Sequence, residues 1–396
     1  MTSERISRRI SPVKALLDFG QSPWLDFIQR GLLNDGELER MIAEWGLRGL
    51  TSNPVIFEKA IAHTHEYDCD IAALARDGSS AEEIYETLAI QDVQQAADAL
   101  LPVYESTDRA DGFASLEVSP HKAHDSDATV AEAKRLWASL GRRNVMIKVP
   151  ATGEGLIALR ALLAEGINVN VTLLFSVKRY REVLQAHLEG LEEAIAGGKD
   201  PVRIASVASF FLSRVDTMVD TELDRLASAG DARMASASSL RGEAAIASAR
   251  RAYAVFEEFI ATAPFRKLKA QGARPQRLLW ASTGTKDPAY SDVKYVEALI
   301  GPQTVNTMPL ETIRAYDDHG EPALRLTGHA DDAAATLARL EELGIDLDAV
   351  TAALLRQGID KFVKPYDALI RSLETARRSA LAMGNVGTDR RLERGA

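Results

Sequence analysis

The chain has 396 residues, 46% hydrophobic and 26% charged, with a formal net charge of -10. That composition is globular and not disordered, no apolar run is long enough to span a bilayer, and the acidic balance disfavours general nucleic-acid binding while leaving room for a local cationic pocket. The first thirteen residues are polar and basic without the apolar stretch of a secretory signal, and the single cysteine, Cys69, excludes an intramolecular disulfide and a multi-cysteine metal site, so a cytoplasmic setting is expected.

Short β-branched or apolar runs alternate with longer segments of helical period, the pattern of a parallel sheet with crossover helices. In chain order the strands are expected near 22–28, 48–54, 111–119, 144–150, 167–175, 203–209, 277–283 and 304–309. Eight such units close a (β/α)8 barrel, so the expected class is α/β, a TIM barrel with additional helices. Ser79 with Glu82, and Thr129 with Glu132, have the S/T-x-x-E spacing of a helix start, and Gly197 with Gly198 marks a helix end. Tyr253, Phe256 and Phe259 stripe one face of a helix over 243–262, which reads as core packing. Two last helices are expected over 331–343 and 346–383, the second long, packed across the barrel and capped by Gly384. A single barrel domain over 1–387 and a flexible tail over 388–396 follow.

In this architecture functional groups gather at the carboxyl ends of the strands. Lys148 interrupts the apolar run Asn144-Val145-Met146-Ile147-Lys148-Val149-Pro150 near such an end. A lysine enclosed there is desolvated, which favours the neutral amine that attacks a ketone. Taken alone, Lys148 is equally explained as a buried lysine paired to a carboxylate. Its neighbours shift the balance: Ser115, Glu117 and Ser119 share one face of their strand, and Asn168, Asn170 and Thr172 one face of theirs. Asp26 ends the first strand and Asn53 the second, while Ser206 and Ser209 lead to Phe211 and Arg214. Each polar residue singly reads as a cap or rim residue, but six strand ends agreeing does not. Two carboxylates beside one lysine suit imine chemistry, one moving protons during imine formation and one taking a hydroxyl proton in carbon–carbon cleavage.

Together Leu50-Thr51-Ser52-Asn53-Pro54, the Lys148 run and Asn170-Val171-Thr172-Leu173-Leu174-Phe175-Ser176 resemble the transaldolase family, over nearly the whole chain from Trp24 onward. The resemblance implies that Lys148 forms a Schiff base, that Asp26 handles the proton at the hydroxyl of the bond being cleaved, and that Glu117 with Thr172 manages a catalytic water. It implies that Asn53, Ser115, Asn170 and Ser209 bind a dihydroxyacetone unit, that Arg214 grips a phosphate, and that Phe211 walls the site from water. It also implies sugar-phosphate substrates, no metal or organic cofactor, and no nucleic-acid or membrane partner. A homodimer is the base-rate expectation. One departure lies in Ala281-Ser282-Thr283-Gly284-Thr285-Lys286, which stands where the family carries an arginine-bearing stretch; Lys286 is the candidate replacement. The residues after Pro309 are too few for the glucose 6-phosphate isomerase region to which some members are fused. Two alternatives remain open at this point: an aldolase like the fructose 6-phosphate aldolases, and a sugar-phosphate-binding barrel without turnover. Cys69 reads as structural, and His63 and His65 as a solvated face, since their spacing is not that of a helical metal-binding pair.

Overall fold

A computed structural model of the chain describes residues 11–228 and 234–392. Its eight strands are β1 (Gln21–Asp26), β2 (Gly49–Thr51), β3 (Phe113–Glu117), β4 (Val145–Pro150), β5 (Val169–Leu174), β6 (Ser206–Phe211), β7 (Arg277–Ala281) and β8 (Thr304–Met308). They pair in parallel and in sequence order, and β8 returns to β1 to close the barrel. The eight expected strands are therefore all present, with ends displaced by a few residues, and the helices form the outer layer. Trp24, Phe113, Phe210 and Trp280 are fully buried where strands meet helices or the barrel interior. Gly49 in β2 is required by that packing, because a Cβ there would lie 2.4 Å from the Trp24 indole.

Two helix starts differ from expectation. The helix Ala81–Ser106 is capped by Ser80, whose hydroxyl accepts from Glu83 N at 3.2 Å while Glu83 accepts from Ser80 N at 2.8 Å. Ser79 with Glu82 is the same pattern one residue too early; the choice between them is made by Ala81, Ile84 and Leu88, which this register turns into the core. Thr129 lies inside the helix Ser126–Leu140, which Asp125 caps through Ala128 N at 2.9 Å. The Thr129 hydroxyl instead donates to Lys122 O at 2.8 Å, and Glu132 pairs with Lys122 at 3.0 Å. The expected end at Gly197 is found, after the helix Val177–Ala196, and the aromatic stripe packs inward on the helix Ala244–Ile260.

The C-terminal helix, Leu347–Leu392, passes through Gly384 without stopping, so that glycine is not its cap. The expected tail thus begins within a helix, and its last residues, 393–396, lie outside the described residues. This helix packs on the helices Pro54–Ala62, Asp68–Arg76 and Ala81–Ser106 and on β5, which carries it across the carboxyl end of the barrel. Leu173 in β5 has a left-handed backbone (φ 56°) beside a register shift, and Gly358 of the long helix faces it. A Cβ on Gly358 would sit 3.0 Å from the Leu173 side chain, so the helix approaches the mouth closely only because this residue has none. Among the described residues no helix is long and apolar enough to cross a membrane.

Candidate active site

Register brings the central group together: Lys148 on β4 stands opposite Glu117 on β3 and Asn170 on β5. Lys148 is 4% exposed. Its Nζ donates to Ser52 O at 2.8 Å and lies 3.3 Å from Glu117 Oε2. The second contact is an ion pair off the hydrogen-bond direction, for Glu117 Oε2 is buried and accepts no hydrogen bond from the described residues. Burial pushes the Glu117 carboxyl above the usual carboxylate range, against the opposing pull of Lys148. Asp26, at the end of β1, is raised in the same way by burial, against Lys148 and against a hydrogen bond from Thr51. That bond, from Thr51 Oγ1 to Asp26 Oδ1, is 2.6 Å long, and Thr51 Oγ1 lies 2.8 Å from Thr307 Oγ1.

A cavity of about 420 Å³ opens here at the carboxyl ends of the strands. Asp26, Asn53, Lys148, Thr172, Ser209 and Phe211 line it, and Arg214 and Lys286 do so as well. Asn53 caps the helix Pro54–Ala62 with its side-chain oxygen, at 3.0 Å from Val55 N and 3.1 Å from Ile56 N, which leaves its amide NH2 for the cavity. Thr172 Oγ1 is buried and has no hydrogen-bond partner among the described residues. Arg214 Nη1 is in the same condition, its guanidinium stacked 5.8 Å from the Phe211 ring, and burial weighs against its charged form. Arg214 and Lys286 also line a neighbouring hollow of about 790 Å³, to which the C-terminal helix contributes Lys361. Cationic side chains of three elements thus meet where the two spaces adjoin.

Ser115 and Asn170 do not line the cavity. They form a buried chain behind it, Asn170 Nδ2 to Ser115 Oγ at 3.3 Å and Ser209 Oγ to Asn170 Oδ1 at 2.7 Å. Glu117 likewise does not line the cavity, but it contacts Lys148, which does.

Residues 23–373 match the family described as Transaldolase/Fructose-6-phosphate aldolase. The chain is 47% identical to a transaldolase of Saccharopolyspora erythraea over 92% of this chain and 97% of that protein. It is 46% identical to transaldolase 2 of a Nostoc species over 92% and 97%, and 49% identical to a transaldolase of Thermobifida fusca over 91% and 96%. The chain belongs to the transaldolase/fructose-6-phosphate aldolase family.

Several residues of this family member's cavity escaped the sequence reading. Thr51 and Ser52 sit inside a motif already singled out, yet only Asn53 was drawn from it. Thr307 is a polar residue in a buried strand, a signal of the kind that marked Ser209. The Ser52 carbonyl that holds Lys148 and the Phe362 ring that reaches the cavity from the C-terminal helix left no signal, since one is backbone and the other is one aromatic in a helical stripe. Asn168 is structural: it donates to Val145 O at 3.0 Å and accepts from Ala205 N at 2.8 Å, joining three strands at their amino ends. His63 and His65 are exposed and pair with Glu58 at 2.8 Å and Asp68 at 2.9 Å. Among the described residues no cluster of three or more His, Cys, Asp or Glu could hold a metal ion. Cys69 is exposed, contrary to a structural role in the core, because Ile71 and Ala75 set the buried face of its helix.

Proposed function

We propose that the chain transfers a dihydroxyacetone unit from sedoheptulose 7-phosphate to glyceraldehyde 3-phosphate, giving erythrose 4-phosphate and fructose 6-phosphate, in the non-oxidative pentose phosphate pathway. The observation that carries this reading is an enclosed lysine amine 3.3 Å from one carboxylate and in one cavity with another. The Lys148 lone pair attacks the ketone carbon, a proton passes to the carbonyl oxygen, and loss of water leaves the iminium. Glu117, biased by burial towards its protonated form, serves as the acid of that step, with the unpartnered Thr172 hydroxyl beside the departing water. Asp26 takes the hydroxyl proton as the adjacent carbon–carbon bond breaks and its electron pair flows to the iminium nitrogen. The aldehyde leaves, the acceptor aldehyde adds by the reverse steps, and water hydrolyses the new imine.

Arg214 and Lys286 bind the phosphate, Asn53 and Ser209 the dihydroxyacetone hydroxyls, and Ser115 with Asn170 orients Ser209 from behind. Phe211 and Phe362 favour transfer over the aldolase alternative, since apolar walls at the substrate mouth keep bulk water off that side of the held intermediate. Borohydride reduction in the presence of fructose 6-phosphate should add the three-carbon unit to Lys148, read by peptide mass. Release of glyceraldehyde 3-phosphate beyond one equivalent per Lys148 should require erythrose 4-phosphate. Release of many equivalents without an acceptor would favour the aldolase, and no adduct together with no release would favour a binding protein.

A further inference from the structure

Lys148 and Glu117 touch, yet they face different spaces. Lys148 lines the substrate cavity and Glu117 does not; Glu117 lines a second cavity of about 400 Å³ on the outer side of the barrel wall. This second space lies between the end of β3, the helices Ala81–Ser106 and Ser126–Leu140, and Tyr366 of the C-terminal helix. Its volume is room for on the order of ten waters. Glu82 and Glu83, both exposed, mark its outer rim.

The lining is built for water. Glu117 and Glu132 have side chains 7% and 9% exposed, and the Oε2 atom of each is buried without a hydrogen bond from the described residues. Lysines approach both, Lys148 at 3.3 Å and Lys122 at 3.0 Å, but off the hydrogen-bond direction, so both oxygens keep acceptor capacity. Two phenols stand in the same space, Tyr85 and Tyr366, with rings 5.4 Å apart, and Tyr366 is hydrogen-bonded to Ser119. Burial raises the Tyr85 hydroxyl, and Tyr366 and then the charges of Glu117 and Glu132 act on it in the same sense. Buried carboxyl oxygens approached by a single ammonium each keep lone pairs that water, in a polar space of this size, is suited to satisfy.

We propose that this cavity is a solvent port to Glu117, separate from the substrate mouth, through which the water of imine formation leaves and the water of imine hydrolysis enters, with Glu132 positioning the water chain. The proposal rests on the Schiff-base reading. Each imine formed from ketone and amine expels one water, and each imine hydrolysed consumes one. A sugar phosphate in the mouth blocks that side, while Glu117 has a route behind it.

The test is incorporation of 18O from labelled water into the carbonyl of fructose 6-phosphate, with Lys148→Ala as the blank. Ser119→Leu fills the port, and Glu132→Gln keeps its shape but replaces a carboxyl oxygen with an amide nitrogen. Exchange should fall at least tenfold in Ser119→Leu and about threefold in Glu132→Gln, with KM for fructose 6-phosphate unchanged in both. A merely structural role would move KM and the unfolding midpoint together with the rate. If Ser119→Leu does not fold, Glu132→Gln decides alone: reduced exchange at constant KM supports the port, and wild-type exchange overturns it. Lys148-dependent exchange that both variants leave at the wild-type rate overturns the port alone. Exchange no faster than the blank in the wild type overturns the Schiff-base reading, and the port with it.

Discussion

At the amino end of the barrel, Arg277 on β7 reaches across to β1 and to the start of β3. It donates to Ser22 Oγ at 2.9 Å, to Ala110 O at 2.7 Å and to Asp111 Oδ1 at 2.8 Å. Ser22 in turn donates to Asp111 Oδ2 at 2.7 Å. At the carboxyl end, Glu117 Oε2, Thr172 Oγ1 and Arg214 Nη1 are buried with no hydrogen bond among the described residues. The Arg277–Asp111 pair is bonded on both sides and holds the strands in register, whereas Glu117 and Arg214 keep hydrogen-bonding capacity open. A buried polar group without a partner costs stability, and Gln21 Oε1 and Gln276 Oε1 at the amino end are unpartnered too, so what sets the carboxyl end apart is that its unpartnered atoms include those of ionisable side chains.

Breaking each end separately sharpens the contrast. Lys148→Ala should lower the rate by a factor on the order of 10^4 or more, measured as product formation from fructose 6-phosphate and erythrose 4-phosphate. Its unfolding midpoint should hardly fall, since burial already biases Glu117 towards the neutral acid it would then become. Asp111→Ala should show the reverse: about 3 kcal/mol lost in urea unfolding, because the Arg277 charge is left unpaired, with kcat of the folded fraction kept. Equal losses of stability in the two variants would abolish the distinction between the ends.

Arg214→Ala should raise KM for sugar phosphates by about 10- to 100-fold, the worth of a charge-assisted contact. Lys286→Ala should raise it less, by about threefold to tenfold, and an unchanged affinity would remove Lys286 from the phosphate site. The smallest effect concerns Asp26. An acid whose folded-state pKa is raised favours the fold below its unfolded pKa, about 4. That contribution is lost as pH rises through the folded value, so at neutral pH the ionised group opposes folding. Asp26→Asn should therefore unfold at a slightly higher temperature than the wild type at pH 8, a difference that shrinks towards pH 4, while activity is lost.

Much of the site was legible because barrel strands carry two independent signals. An apolar run announces the strand, and a polar residue near its carboxyl end announces the mouth; Lys148, Asp26, Thr172 and Ser209 satisfied both. Ser115 and Asn170 satisfied them too, yet they stand behind the cavity wall bonded to each other, because the face a residue shares does not state its depth along the barrel axis. Overlapping Ser79-x-x-Glu82 and Ser80-x-x-Glu83 patterns were indistinguishable locally, and burial of Ala81 and Ile84 chose between them. Gly384 looked like a cap because glycine weakens a helix, but one glycine does not end a helix of 46 residues.

Strand number, strand order and the choice of Lys148 as the candidate nucleophile thus came from the amino-acid sequence, since each depends on periodicity and residue type over a few neighbours. The Ser52 carbonyl under Lys148, the Phe362 ring over the mouth and the separation of Lys148 and Glu117 into two cavities were decided by tertiary structure alone. Each of these depends on where segments distant in the chain come to rest against one another, and no local pattern encodes such a distance.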